Sequence, residues 1–305
     1  MQCLSVATTV FASACRSGGP NRIAVGPEVK TLAFLPGRVC TLTLAWQVFD
    51  DAPVTVAANR DEMVDRESLP PAVYNDEPLV IAPQDAEAGG TWIGYNEFGV
   101  FVGLTNKWTD AELAGERSRG LLVADVLEAR SAADAKSIVN AATDADEYSG
   151  FYLVVADATD AFCYQWDGTL SLTAFEPGVH VVVNVAVDDD VDIPEHRAEI
   201  GHEQATDAHA LRAALTAEPD ESAMDWLERA SDVLGDHEYG ACVHENGYGT
   251  QSSSLLAIGP ELEYHAFASG PPCRTSYDEI DLTIGDGLES QGTAIESTVD
   301  DERHI

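Results

Sequence analysis

The sequence predicts a layered α+β fold, and three observations carry that reading. Strand-like stretches come in antiparallel-looking bursts, helix-like stretches are grouped between them, and no βαβ alternation runs along the chain. The 305 residues with 45% hydrophobic content are ample for a substantial core.

The first strand is predicted over residues 40–49, which are rich in β-formers. It opens with strict alternation: Leu42, Leu44 and Trp46 on one face, Thr41 and Thr43 on the other. Asp50-Asp51-Ala52-Pro53 reads as a turn. A second strand over 54–58 then runs into Asn59-Arg60-Asp61-Glu62. Further strands are predicted at 91–95, 100–104, 151–156, 161–166, 170–174, 180–183, 241–244, 253–258 and 263–267. Helices are predicted at 118–130, with Leu121, Leu122, Val126 and Leu127 on one stripe, and at 131–142. Others are predicted at 194–200, 208–215 and 221–234. No internal repeat is visible.

Charge excludes several functions. Asp and Glu total 53 against 16 Lys and Arg, a formal net charge of −37. A protein that neutralises phosphates needs Lys and Arg, so nucleic-acid binding is not expected, nor is attachment to an anionic membrane. No stretch approaches the length of a membrane-spanning helix. The acidic, lysine-poor composition (Lys30, Lys107 and Lys136 only) points to a halophilic habitat. There, screening within roughly 3 Å at molar salt removes most self-repulsion.

That charge is uneven. Residues 1–38 hold four bases and one acid, net +3, leaving −40 on the remainder. The segment is open to three readings: a secretion signal, a flexible extension, or residues upstream of the true start. Against a signal, no positive charge precedes Leu4 and the apolar run is short. For the last reading, GUG encodes valine internally but can initiate with methionine. Initiation at Val39 would give Met-Cys-Thr-Leu, and loss of Met would expose Cys40 as the first residue. The expected organisation is thus an N-terminal extension at 1–38, one domain over 39–280 and a solvated acidic tail at 281–305.

Six cysteines occur, none in a CxxC pair, and their spacings are too wide for a zinc knuckle or ribbon. Cys242 and His244 share a face of a predicted strand, but two ligands do not make a metal site. They read as packing, and no metal or resident cofactor is expected. The chain is large enough to fold without disulfides, so free thiols and a cytoplasmic location are expected. There is no GxSxG elbow, no HExxH and no phosphate loop. Gly89-Gly90-Thr91-Trp92-Ile93-Gly94 leads into a strand and lacks the helix N-terminus that would hold a phosphate.

Asn59-Arg60-Asp61-Glu62 is the most informative polar cluster. It sits across a hairpin from Cys40, where an Arg beside two acids forms a local charge network. A free α-amine has a pKa of about 8 and acts as a base near neutral pH. If Cys40 is N-terminal, its own amine can take the thiol proton while Asp61 orients that amine, giving an activated nucleophile.

Several motifs occur in order: Val39-Cys40-Thr41-Leu42, Asn59-Arg60-Asp61-Glu62, Gly89-Gly90-Thr91-Trp92-Ile93-Gly94 and Gly103-Leu104-Thr105-Asn106. Ser118-Arg119-Gly120, Gly150-Phe151, Ala156-Asp157 and Gly247-Tyr248-Gly249-Thr250 follow. In these the chain resembles the NRDE family, also called the Transport and Golgi organisation 2 family, over about residues 39–280. Members typically begin Met-Cys, which favours initiation at Val39. The family is similar to N-terminal nucleophile hydrolases, particularly the cysteine group that cleaves bile-salt and penicillin amides. The resemblance implies a four-layer αββα sandwich of two antiparallel sheets. It implies Cys40 as nucleophile, Asp61 as the acid holding the amine, and Asn184 as an oxyanion donor. It also implies that Thr105 and Asn106 line the pocket. With Asn59, Arg60, Glu62 and Trp92 these are the candidate substrate-binding residues. Gln251 stands where many relatives carry Arg, which removes one expected cation. Two functions follow from the resemblance. One is hydrolysis of a small-molecule amide at Cys40. The other is non-catalytic carriage of haem or an acyl lipid in the same cleft, with Cys40, His180 or His244 as a haem ligand.

Overall fold

In a computed structural model the described residues are 40–245, 247–260 and 263–280. The expectations for 1–38 and 281–305 lie outside them. The chain opens with a hairpin, β1 (Thr41–Trp46) and β2 (Val54–Met63), then β3 (Ser68–Asp76), β4 (Leu79–Asp85), β5 (Ile93–Asn96) and β6 (Phe101–Asn106). Helices α1 (Arg119–Val126) and α2 (Ala132–Ala145) precede β7 (Phe151–Ala156), β8 (Ala161–Trp166) and β9 (Leu170–Ala174). Next come β10 (Gly178–Val183) and two short strands, β11 (Ala186–Val187) and β12 (Asp190–Val191). Helices α3 (Ala198–Ala214) and α4 (Ala223–Gly235) are followed by β13 (His244–Glu245), β14 (Tyr248–Ile258), β15 (Glu263–Ala268) and β16 (Asp278–Glu279).

The strands make two antiparallel sheets. One runs β12-β11-β10-β1-β2-β14-β15-β16, with β13 added against β14; the other runs β3-β4-β5-β6-β7-β8-β9. Side-chain alternation then builds three separate cores. On β1 and β2, Leu42, Leu44, Trp46, Val54 and Val56 pack between the sheets against Ile93, Tyr95, Phe101 and Tyr152. The opposite face, with Ala45 and Ala57, packs under α3 and α4 through Leu211, Trp226 and Leu227. On the second sheet, Val102, Leu104, Leu153 and Val155 pack under α1 and α2 through Leu122, Val126 and Val139. The order helices, sheet, sheet, helices is the αββα sandwich. Both faces of the central strands are buried, which is why all six residues of β1 are inaccessible, threonines included.

Several elements differ from the sequence reading, among them α1, which ends at Val126 and not at 130. β2 continues to Met63 because β14 pairs with it along its whole length, from Tyr248–Met63 to Ile258–Val54. Asn59-Arg60-Asp61-Glu62 therefore lies inside a strand and not after it. The sequence reading has no strand at β3 or β4 because Pro70 and Pro71 interrupt the first, Pro83 the second, and Pro78 lies in the turn between them. β3 is an edge strand with most of its residues exposed, a position that tolerates proline. The helices predicted at 194–200 and 208–215 are joined as α3, preceded by a 3-10 turn over Glu195–Arg197. Gly201 inside α3 is there for contact, since a Cβ would sit 2.5 Å from Ile193 Cγ2. The strand predicted at 241–244 reduces to the two residues of β13.

Leu44 is fully buried between the sheets. Leu44→Ala should destabilise the protein by about 2–5 kcal/mol in urea unfolding, with an unchanged m-value.

Candidate functional site

The cleft forms where β1, β2 and β10 end together. Leu42 pairs with Val182 and Thr41 with Asn59. Continuing each register one or two steps sets Cys40 across from Arg60 on one side and Asn184 on the other. By alternation Cys40 and Arg60 share the face of Leu42 and Ala58, toward the gap between the sheets. Cys40, Arg60, Asp61, Glu62, Asp85, Trp92, Asn106 and Arg119 line an opening of about 100 Å³. Thr105 lines a narrower recess behind it with Cys40, Trp92 and Ser252.

The Cys40 thiol donates to the Asp61 carbonyl at 3.8 Å. The Asp61 carboxylate accepts from Thr250 Oγ1 at 2.5 Å, and Thr250 Oγ1 in turn accepts from the Val243 amide at 2.9 Å. A bulge between Thr250 and Ser252 makes this possible. It lets Gln251 loop out, where its amide donates to the Gly249 carbonyl, and turns Thr250 toward Asp61. Burial, reinforced by the Asp61 charge, pushes the thiol up to about 12. Burial pushes Asp61 up to about 7 against the opposing pull of Thr250 and Arg60. With Cys40 in peptide linkage, this is a neutral thiol beside a carboxyl that holds its proton to unusually high pH.

Cations surround the pair. Arg60 is 4% exposed, and its guanidinium lies 4.3 Å above the Trp92 ring and 3.7 Å from Glu62 and from Asp85. Its Nη1 has no hydrogen-bond partner among the described residues. Arg119 donates to the Gly150 carbonyl at 2.8 Å, and burial draws its pKa down. Asp85 balances them. Burial pushes its carboxyl up, but the Ala88 and Glu87 amides and Arg66 Nε at 2.7 Å outweigh that and hold it low. Gly90 closes the mouth against Gly120, where a Cβ would lie 2.3 Å from the Gly120 carbonyl carbon.

The structure brings together most of the sequence candidates. Asn184 is fully buried; its Nδ2 donates to the Asn106 carbonyl at 2.6 Å and its Oδ1 accepts from Gln204 at 2.9 Å. Glu62 lines the opening, paired with Arg60 and with Arg66 at 3.8 Å. The Thr105 hydroxyl is buried without a partner. Asn59 is the exception. It borders the narrower recess beside Cys40, but its side-chain amide donates to the Leu234 and Ala241 carbonyls at 3.1 and 2.9 Å and so ties β2 to α4. His180 is also elsewhere, held by Asp188 at 2.7 Å and the Glu176 carbonyl at 2.8 Å, so both ring nitrogens are engaged. Arg119 and Tyr248 were not singled out by sequence as site residues. The motifs containing them were the available signal. The Tyr248 hydroxyl is buried without a partner, and burial, then Cys40 and Asp61, push its pKa up.

Asp61 gives a pH test. A carboxyl whose pKa is raised on folding stabilises the native state fully below its unfolded value of 3.8, and that contribution is lost as pH rises through about 7. In the chain with Cys40 in peptide linkage, unfolding free energy should fall between about pH 4 and pH 7. Asp61→Asn, which keeps an acceptor for Thr250, should flatten that fall. Parallel pH profiles for the two proteins would remove Asp61 as its source.

With this geometry in view, comparisons place the chain among known proteins. The family model described as Transport and Golgi organisation 2 matches residues 39–267. The chain is 30% identical over 156 residues to the Transport and Golgi organization 2 homolog of Mus musculus, covering 46% of this chain and 56% of that protein. The match thus spans little more than half of the relative's length. Among solved structures, penicillin V acylase from Agrobacterium tumefaciens superposes with a TM-score of 0.51 at 13% identity, over 80% of this chain and 87% of that one. The N-acylethanolamine-hydrolyzing acid amidase ortholog of Caenorhabditis elegans gives 0.50 at 14% identity, over 73% and 94%. At such identities the likeness is one of fold.

Proposed function

The chain belongs to the Transport and Golgi organisation 2 family, and on that premise we propose that it is an N-terminal-cysteine amidohydrolase acting on a non-peptide C–N bond of a small molecule. One observation carries the reading: the Cys40 thiol donates to the Asp61 carbonyl, in a cleft lined by the buried Arg60 and the half-buried Arg119. The hydrolase-like fold agrees with it.

The chemistry needs Cys40 to be the first residue. As the residue following Val39, Cys40 has φ 39°, a left-handed torsion that costs a Cβ-bearing residue energy. Freeing its nitrogen removes that torsion and adds a cation beside Asp61 and the thiol. A positive neighbour lowers both pKa values, which reverses the effect of burial. The amine takes the thiol proton, and sulfur attacks the amide carbon. The oxyanion is held by donors such as Asn184 Nδ2 or the unpartnered Arg60 Nη1. The C–N bond breaks as the departing nitrogen takes the proton from the α-ammonium. Water then attacks the thioester, giving up a proton to the amine, and the acid leaves as the thiol is restored. Arg60 and Arg119 supply the positive charge that Gln251 does not, which suits a substrate with a carboxylate.

The alternative occupant of this cleft is haem or an acyl lipid. Such ligands need cavities of roughly 300–1,000 Å³, against about 100 Å³ here. His180 is engaged elsewhere. Both facts favour the small-amide reading. Small-molecule substrates and a cytoplasmic setting belong to the same proposal; no helix among the described residues is long and apolar enough to cross a membrane.

A chain beginning at Cys40 should be alkylated at Cys40 at least about tenfold faster at pH 7 than the chain in which Val39 precedes it. It should hydrolyse an acyl-amino-acid or lactam amide, tested in molar salt, and Cys40→Ser should slow turnover by about 10³-fold or more. Equal alkylation rates in the two chains, with no amide turnover, would sink the hydrolase.

A further inference from the structure

We propose that His237, Cys242, His244 and Cys273 form a structural Zn²⁺ site. The ligand atoms of these four residues lie within 4.8 Å of one another. His244 Nε2 is 3.6 Å from Cys242 Sγ and 3.1 Å from Cys273 Sγ. A tetrahedral zinc with bonds of about 2.3 Å to sulfur and 2.0–2.1 Å to nitrogen separates its ligand atoms by roughly 3.3–3.8 Å. The cluster needs only small side-chain adjustment to enclose the ion.

The chemistry of the donors is as selective as their spacing. Two thiols and two imidazoles match a closed Cys₂His₂ set and disfavour magnesium and calcium, which take oxygen ligands. Two thiolates also neutralise the ion. His237 Nδ1 lies 3.0 Å from the Cys242 carbonyl, and donating its proton there leaves Nε2 as the free lone pair. Arg274 Nη2 lies 3.4 Å from His244 Nδ1. On metal binding that nitrogen carries the proton and the exposed guanidinium turns outward.

The four ligands come from three places: the turn after α4, the β13 hairpin and the segment following β15. A metal would clip these together beside the Val243–Thr250–Asp61 chain of hydrogen bonds. The sequence reading expected packing at Cys242 and His244 because it saw only two ligands. His237 lies across a 3-10 turn and Cys273 is brought in by β14 and β15.

The test uses the full chain, reduced, supplied with zinc and dialysed against a weak chelator. Elemental analysis should find about one zinc per chain, and Cys242 and Cys273 should resist alkylation until a strong chelator is added. Cobalt in place of zinc should give a thiolate charge-transfer band and the intense visible bands of a tetrahedral ion. Cys273→Ser changes an exposed residue and should fold normally, yet retain at least about tenfold less zinc. Zinc held only by surface carboxylates would give an octahedral cobalt spectrum without the thiolate band and would overturn the site. So would fewer than about 0.1 zinc per chain, or a Cys242–Cys273 disulfide that persists under reduction.

Discussion

Strand register governs the rest of this molecule. Because both faces of the first sheet are buried, the parity of a residue on β1 or β2 decides which core it enters. Leu42, Leu44 and Val56 fill the gap between the sheets, and Ala45 and Ala57 meet the helices. The same parity sends Cys40 and Arg60 to the cleft and Asn59 to α4. A slip of one residue would exchange these sets at once. It would put a guanidinium under the helices and leucines against alanine-sized spaces. The packing of dozens of apolar side chains therefore fixes the position of one thiol, which the few polar contacts of the cleft could not do.

Burial then sets the chemistry that this placement allows. Burial makes the Cys40 thiol and the Asp61 carboxyl each resist ionisation in this poorly solvated end of the sheet, and the Asp61 charge adds to the resistance of the thiol. The arginines only partly relieve this. Arg60 is shared among Glu62, Asp85 and the Trp92 face, and Arg119 is itself depressed by burial. What the pair lacks is a cation with no other commitment, placed between them. An α-ammonium at Cys40 is such a group, so the resting inertness of the site and its proposed activity follow from one variable, the covalent state of a single nitrogen.

Much of this was legible in the sequence because it depends on local periodicity. The alternation of β1 marked the side that faces the second sheet, three of the four stripe residues of α1 (Leu122, Val126 and Leu127, not Leu121) enter the core, and Cys40 facing the polar residues of β2 followed from a short hairpin. The direction of the Asn59 side chain was not legible, because the sequence shows four consecutive polar residues but not that the strand continues through them, assigning alternate residues to opposite faces. That continuation depends on β14, nearly two hundred residues away. The proline-broken β3 and β4 defeat propensity because tertiary position makes proline acceptable there: β3 is an edge strand, and Pro83 of β4 lies beyond the residues that pair with β5. Arg119 and Tyr248 sit in motifs that sequence could mark but not locate in space.

β14 links the two polar centres of the molecule. Its bulge turns Thr250 to Asp61 on one side, while β13 and the Val243 amide attach to it on the other. A regular ladder would have put Gln251 opposite β2 and left the Asp61 carboxyl buried without its hydroxyl donor, a loss that costs more than a neutral hydrogen bond contributes. The extra residue is thus a structural requirement of the acid. It also explains how a chain can carry Gln at 251: looped out of the ladder, that side chain returns to the Gly249 carbonyl, and the positive charge of the cleft rests on Arg60 and Arg119, which come from β2 and the start of α1 and do not depend on it.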